Sequence, residues 1–181
     1  MNKKISRWKT LSSKVVYEHK NLVLHEDTVG LPNGKITTYL RRSAAITHSV
    51  IIIAINSKEE ILVQREYSYP PNIIMWQLPG GSMKSKEKIL DAAMRELAEE
   101  SGIGANQARK IGYFYTQNRF SNQKQYVIEC RDLYAHKLKE DDDEFIESLW
   151  LTRDSIGELI RKGRINNINL LAALNLLYNN I

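Results

Sequence analysis

The sequence contains a single cysteine, Cys130, which excludes any internal disulfide. It also lacks an apolar run approaching the roughly 20 residues of a membrane span. The longest such run, Val50 to Ile55, has the length of a strand. The N-terminus, Met1 to Trp8, is basic but no apolar segment follows it, so no secretory signal is expected. Together these absences predict a cytoplasmic protein without a membrane partner. Internal repeats and low-complexity segments are missing as well, which leaves an ordinary globular chain.

The 181 residues suit one domain, or one domain with a small appendage. Their net charge of +5 is spread unevenly. Residues 1–42 hold nine Lys/Arg against three acids, an excess of six, and the remainder carries −1. A basic face can attract phosphates or nucleic acid. Nothing in it matches a nucleic-acid-binding motif, so it reads as a solvated surface and no nucleic-acid partner is expected.

Periodicity and turn signals organise the chain. Residues 10–17 and 20–29 read as strands rich in β-branched residues, and Pro32-Asn33-Gly34 turns the second into a returning strand, Lys35 to Leu40. Ala45 to Ile55 reads as a long central strand, Ile61 to Tyr67 pairs back, and Ile74 to Leu78 runs into Pro79-Gly80-Gly81. Lys86 to Ser101 is the strongest helix, stopped by Gly102 and Gly104. Strands follow near Lys110 to Thr116, Gln125 to Cys130 and Phe145 to Leu151, then two terminal helices. This order predicts an α+β fold, an α/β/α sandwich around a mixed sheet.

The central helix concentrates the chemistry. At about 100° per residue, Leu90, Ala93, Met94 and Leu97 form one apolar arc. Glu96 and Glu100 stack one turn apart beside that arc, with Glu99 farther round and Arg95 beyond it. Like charges four apart repel, and acids crowd a helix end whose dipole prefers cations. A half-buried carboxylate pair also raises its own pKa unless a cation compensates. One divalent cation would relieve all three penalties. Oxygen ligands without a nearby His or Cys favour Mg²⁺ or Mn²⁺ over zinc. A solvated acidic face, with Arg95 paired to Glu99, is the bland alternative.

The flanking residues decide between these readings. Gly81, five residues, Glu87, seven residues, then Arg95-Glu96-Leu97-Ala98-Glu99-Glu100-Ser101-Gly102-Ile103 resembles the Nudix box at all nine specified residues over 23 positions. The resemblance implies a loop–helix–loop in an α/β/α sandwich and a metal-dependent diphosphate hydrolase. It makes Glu96 and Glu100 the principal metal ligands, Glu99 a further ligand or its neighbour, and the Gly80 carbonyl a completing one. It makes Arg95 the residue that orients the glutamates and Glu87 the brace between loop and helix. Gly81 and Gly102 become the turn residues.

The resemblance extends beyond the box. An N-terminal strand subdomain, residues 1–42, precedes a hydrolase domain, 43–181. Together with Gln64-Arg65-Glu66-Tyr67 and Trp76-Gln77-Leu78-Pro79-Gly80-Gly81, it is similar to the ADP-ribose pyrophosphatase and nucleoside-diphosphate-sugar branch. That likeness implies a homodimer built through the N-terminal strands, and substrate contacts from Arg65. Trp76, Tyr67 and Tyr69 fit stacking and core roles equally.

Two departures stand out. The segment Thr116 to Gln123 lacks the branch's proline, and Gln123 stands near the place of its catalytic glutamate. A glutamine cannot act as a general base. Glu144 is the candidate replacement, with Glu99 acting through a metal-bound water as the alternative. Arg119 and Asn122 occupy the region where specificity is usually decided. The expected substrate is ADP-ribose or a nucleotide sugar. A dinucleotide, a dinucleoside polyphosphate, capped RNA, or a sensor that binds nucleotide without hydrolysis are the alternatives.

Overall fold

The computed structural model describes residues 5–19, 22–43, 48–139 and 145–179. Glu144 lies outside the described residues. The chain divides into two units, one of residues 1–47 with 117–123 and one of residues 48–116 with 124–181.

The first unit is an antiparallel meander of β1 (Lys9–His19), β2 (Leu22–Gly30) and β3 (Ile36–Ser43). The β2–β3 turn closes through Gly34, at φ 81°, whose N–H donates to the Leu31 carbonyl. Bulges at Thr10/Ser12 and Val15/Tyr17 interrupt the β1 register. All eleven residues of β1 are exposed, so the strand has no apolar cover on either face. Asp27, buried on β2, accepts a hydrogen bond from Arg41 Nε at 2.6 Å, which holds its carboxyl below the usual range. The segment 117–123 folds with these strands: the Arg42 N–H donates to the Phe120 carbonyl and the Tyr39 hydroxyl to that of Arg119.

The second unit has two three-stranded sheets. In the first, β4 (His48–Ala54) runs parallel to β8 (Lys124–Ala135), which pairs antiparallel with β7 (Ile103–Tyr115). In the second, β5 (Ile61–Ser68) lies between β6 (Ile73–Gln77) and β9 (Glu147–Leu151), all antiparallel. The helices are α1 (Ile89–Ser101), α2 (Arg153–Arg161) and α3 (Ile168–Asn179). Strand alternation sorts the core. Val50, Ile52 and Ala54 of β4 pack with Ala92, Ala93 and Leu97 of α1. Ile51, Ile53 and Ile55 pack with Ile156 of α2 and Leu170, Ala173 and Leu174 of α3. Strand β4 is therefore covered on both faces and apolar on both, which is why Val50 to Ile55 reads as an unbroken run.

Three expectations need correction. The middle strand of the mixed sheet is β8, and the far edge of β4 is taken by the loop before α1. There the Val50 and Ile52 N–H groups donate to the carbonyls of Gly81 and Pro79. The strand expected near Lys110 starts at Ile103, directly after the helix. Its opening residues, Gly104-Ala105-Asn106-Gln107, are poor strand formers, and pairing with β8 outweighs their propensity. Leu90, expected in the core, is 41% exposed because it lies in the first turn of α1.

Candidate active site on the glutamate-rich helix

Helix α1 ends where Gly102 adopts a left-handed conformation, φ 68° and ψ 24°, and donates its N–H to the Ala98 carbonyl. Its buried residues are Ala92, Ala93, Glu96, Leu97 and Ala98. The buried arc is thus shifted from the one read in the sequence, and Glu96 lies inside it, between alanines, instead of beside it. Burial raises the Glu96 carboxyl above the ordinary carboxylate range; Arg95 opposes that rise, while Glu99 and Glu87 add to it.

One guanidinium serves three carboxylates. Arg95 donates through Nε and Nη2 to the two oxygens of Glu87, at 2.8 and 3.0 Å. Its Nη1 donates to Glu96 Oε1 and Glu99 Oε2, both at 2.8 Å, and Nη2 reaches the Ser82 carbonyl at 3.2 Å. Glu87 also accepts the Lys84 N–H at 2.7 Å. The Arg95 hydrogen bonds hold the Glu87 carboxyl low against the opposing effect of burial, with the Lys84 N–H helping. The same contacts, Glu87 first, hold Arg95 firmly protonated. Loop and helix are tied together by this fork.

The two glycines set the distance between loop and helix. At Gly81 a Cβ would come within 2.6 Å of the Glu96 carboxylate, so only hydrogen leaves room for it. At Gly80, φ is 154° and a Cβ would come within 2.2 Å of the Val50 carbonyl oxygen. The Gly80 N–H donates to Glu100 Oε2 at 3.2 Å. Its carbonyl lies between those of Pro79 and Gly81 and outside their pairing with β4. Glu96, Glu100 and the Gly80–Gly81 backbone are thereby gathered at one place. Among the described residues, no three His, Cys, Asp or Glu side chains converge tightly enough to hold a metal ion as placed. The donor set is nonetheless all oxygen, with a buried carboxylate and only one shared cation, which fits a hard divalent ion.

The other sequence candidates lie on β5, on β6, in the loop between them and in the segment 117–123. Arg65 faces Trp76 and Glu147 in register, on the sheet face of Val63, which packs with the α2–α3 cluster and away from α1. It pairs with Glu147 at 2.8 Å and sits 5.5 Å over the Trp76 ring. Gln77 donates to Glu66 Oε2 at 2.5 Å. The exposed Tyr67 donates to Asn72 Oδ1, and Tyr69 is 82% exposed. Arg119 and Asn122 are exposed and belong to the N-terminal unit.

Two features were not read from the sequence. Gln64 is completely buried, and among the described residues neither its amide oxygen nor its nitrogen has a hydrogen-bond partner. It shares a face with Leu62, on the α1 side, opposite Gln77 and Ser148. A polar residue at a period-two core position was the available signal. An open cleft of about 190 Å³ borders Gly80 and Gly81, with Ser49, Gln77, Asn167 and Asn169 on its walls. The buried Oδ1 of Asn169 has no partner among the described residues.

Residues 46–174 match the family described as NUDIX domain. The chain is a Nudix hydrolase. Residues 8–39 match a second family, the nucleoside diphosphate sugar hydrolase N-terminal domain. This Nudix chain is 26% identical over 159 residues to the ADP-ribose pyrophosphatase of Bacillus subtilis (strain 168), covering 87% of this chain and 85% of that protein. It is 27% identical over 164 residues to the methanol dehydrogenase activator of Bacillus methanolicus, covering 90% and 88%. A crystal structure of an ADP compounds hydrolase superposes with a TM-score of 0.87 at 22% identity, over 98% of this chain and 95% of that one, which establishes the shared α+β fold. Among the described residues, no helix is long and apolar enough to cross a membrane.

Proposed function

We propose that this Nudix hydrolase cleaves the diphosphate linkage of ADP-ribose or a nucleotide sugar, releasing a nucleoside monophosphate and a sugar phosphate. The observation that carries the reading is the buried Glu96 carboxylate, held against Gly81 with a single guanidinium shared among three acids. Such a group is stabilised by a further cation. Glu96 and Glu100, with Glu99 and the Gly80 carbonyl, would hold Mg²⁺, or Mn²⁺ in its place. Bound there, the cation supplies charge neutralisation of the phosphate oxygens and a more acidic water.

The protein's own residues do the rest. Arg95 fixes the carboxylates and Glu87 locks Arg95 to the loop, so little reorganisation is needed when substrate arrives. Water attacks one phosphorus in line, and the bridging oxygen leaves with the other phosphate. Glu144 or Glu99 would take the proton, since Gln123 cannot. Arg119 and Asn122 would contact the phosphate or sugar. Arg65 is committed to Glu147 and Trp76, so a substrate role requires it to exchange partners. The uncovered β1 strand supports a homodimer formed through residues of the N-terminal subdomain. The relative named ADP-ribose pyrophosphatase supports a small nucleotide substrate, and the enzyme would act in the cytoplasm.

The test is a panel of ADP-ribose, nucleotide sugars, dinucleotides, dinucleoside polyphosphates and capped RNA, assayed with Mg²⁺ or Mn²⁺ and product mass identification. Metal-dependent cleavage of ADP-ribose or a nucleotide sugar, lost in Glu100→Gln, is the expected result. Full activity in Glu100→Gln would remove the ligand assignment. Tight ADP-ribose binding without turnover would replace the enzyme by a sensor.

A further inference from the structure

The face of the mixed sheet beside the start of α1 carries an unusual set of side chains. Register places His48, Lys124 and Tyr115 in one row across β4, β8 and β7, and Val50, Tyr126 and Tyr113 in the next. Tyr126 packs on the α1-side core, which fixes the face. The rings form a connected array. His48 meets Tyr126 edge-on at 5.5 Å, Tyr126 lies 6.0 Å from Tyr113, and Tyr113 meets Tyr115 edge-on at 5.9 Å. Tyr113 and Tyr115 are 47% and 46% exposed.

Cations are interleaved with the rings. Lys124 Nζ sits 4.7 Å over Tyr113, and Lys110 Nζ 5.8 Å over Tyr126. Neither ammonium has a carboxylate partner among the described residues. The neighbouring loop adds three exposed lysines, Lys84, Lys86 and Lys88, and is anchored to this face by the Met83 N–H donating to the His48 carbonyl at 3.1 Å. A stable core does not need half-exposed tyrosines capped by unpaired lysines. An occupant that is planar, repeated and anionic would satisfy both features, with bases replacing the lysines over the rings and phosphates receiving the displaced ammonium groups. Sheet-borne aromatics stack about two or three bases of single-stranded RNA in this manner.

We propose that this face binds a short segment of single-stranded RNA, with bases on Tyr113, Tyr115 and Tyr126 and phosphates on Lys110 and Lys124. The inference concerns docking and is independent of which diphosphate the glutamate site cleaves. A labelled RNA hexanucleotide titrated against the full chain in EDTA, followed by anisotropy, reads it without turnover. Tyr113→Ala and Tyr115→Ala should each weaken binding about tenfold. Tyr113→Phe should bind as the parent does. Replacing Lys110 and Lys124 by Ala should flatten the log–log salt dependence by roughly 0.7 per lysine. Glu100→Gln should leave RNA binding unchanged, and the tyrosine variants should leave cleavage of the small substrate unchanged. The proposal fails if the hexanucleotide does not bind, if AMP binds as tightly as the hexanucleotide, or if removing either ring with the fold intact by circular dichroism changes nothing.

Discussion

Substituting Gly81 by alanine separates the fold from the site. The added Cβ would lie 2.6 Å from the carboxylate atoms of Glu96, and ordinary contact begins near 3.4 Å, so about 0.8 Å must be recovered. The obstructing atoms are the end of a side chain, so Glu96 retreats more easily than the backbone does. Gly81 itself has no positive φ, and Ala there gains about 0.4–1 kcal/mol by restricting the unfolded chain. Against this stands an overpacking cost of about 1–3 kcal/mol. The net loss of stability is therefore below about 3 kcal/mol, and the Val50 N–H to Gly81 carbonyl bond survives. The loss of function should be far larger, because misplacing a catalytic group by an ångström costs about a hundredfold. Thermal melting with and without Mg²⁺, calorimetric metal titration and turnover on the best substrate test this together. Retained folding, weakened metal binding and a hundredfold lower kcat are expected. A Gly81→Ala protein with unchanged turnover and metal affinity would refute the idea that Glu96 must stay where it is. Gly80→Ala is the contrast: its Cβ would strike the Val50 backbone, so the fold itself should fail.

Three further outcomes follow from the same structure. Arg95→Ala strands Glu87, Glu96 and Glu99 without their shared cation, and should destabilise the metal-free protein by about 2–4 kcal/mol in urea unfolding, with partial recovery in Mg²⁺. Equal destabilisation with and without the ion would speak against a metal beside those carboxylates. Glu96→Gln should stabilise the metal-free protein at neutral pH. The Glu96 carboxyl is raised in the folded state, so its contribution is favourable below the unfolded value of 4.5 and is lost as pH rises through the folded one. The variant's gain in melting temperature should therefore shrink toward pH 4, and a gain independent of pH would contradict the burial argument. Val15→Asp, on the exposed β1 strand, should convert a dimer to monomer by light scattering; a parent that is already monomeric at micromolar concentration removes the proposed dimer.

Much of the unit that carries the glutamates was legible because its signals are local. The helix period, the Gly102 stop and the strand-sized run from Val50 to Ile55 need no tertiary information. What misled was equally specific. Leu90 fits the apolar arc, yet it lies in the first turn of α1 and stays 41% exposed. The start of β7 carries weak strand formers that only pairing with β8 makes extended. The partners of Arg65, Glu147 and Trp76, come from strands on either side of β5 and could not be read locally.

The sequence by itself determined the family and the chemistry class, because nine residues at set spacing fix which carboxylates share a helix face and where the chain must turn. Only the tertiary structure decided how those carboxylates are held. The 2.6 Å approach of the Gly81 position to Glu96, the Arg95 fork and the orphaned Gln64 amide each depend on segments distant in the chain. Periodicity assigns a residue to a face, but burial and partner depend on what packs against that face, which no local pattern contains.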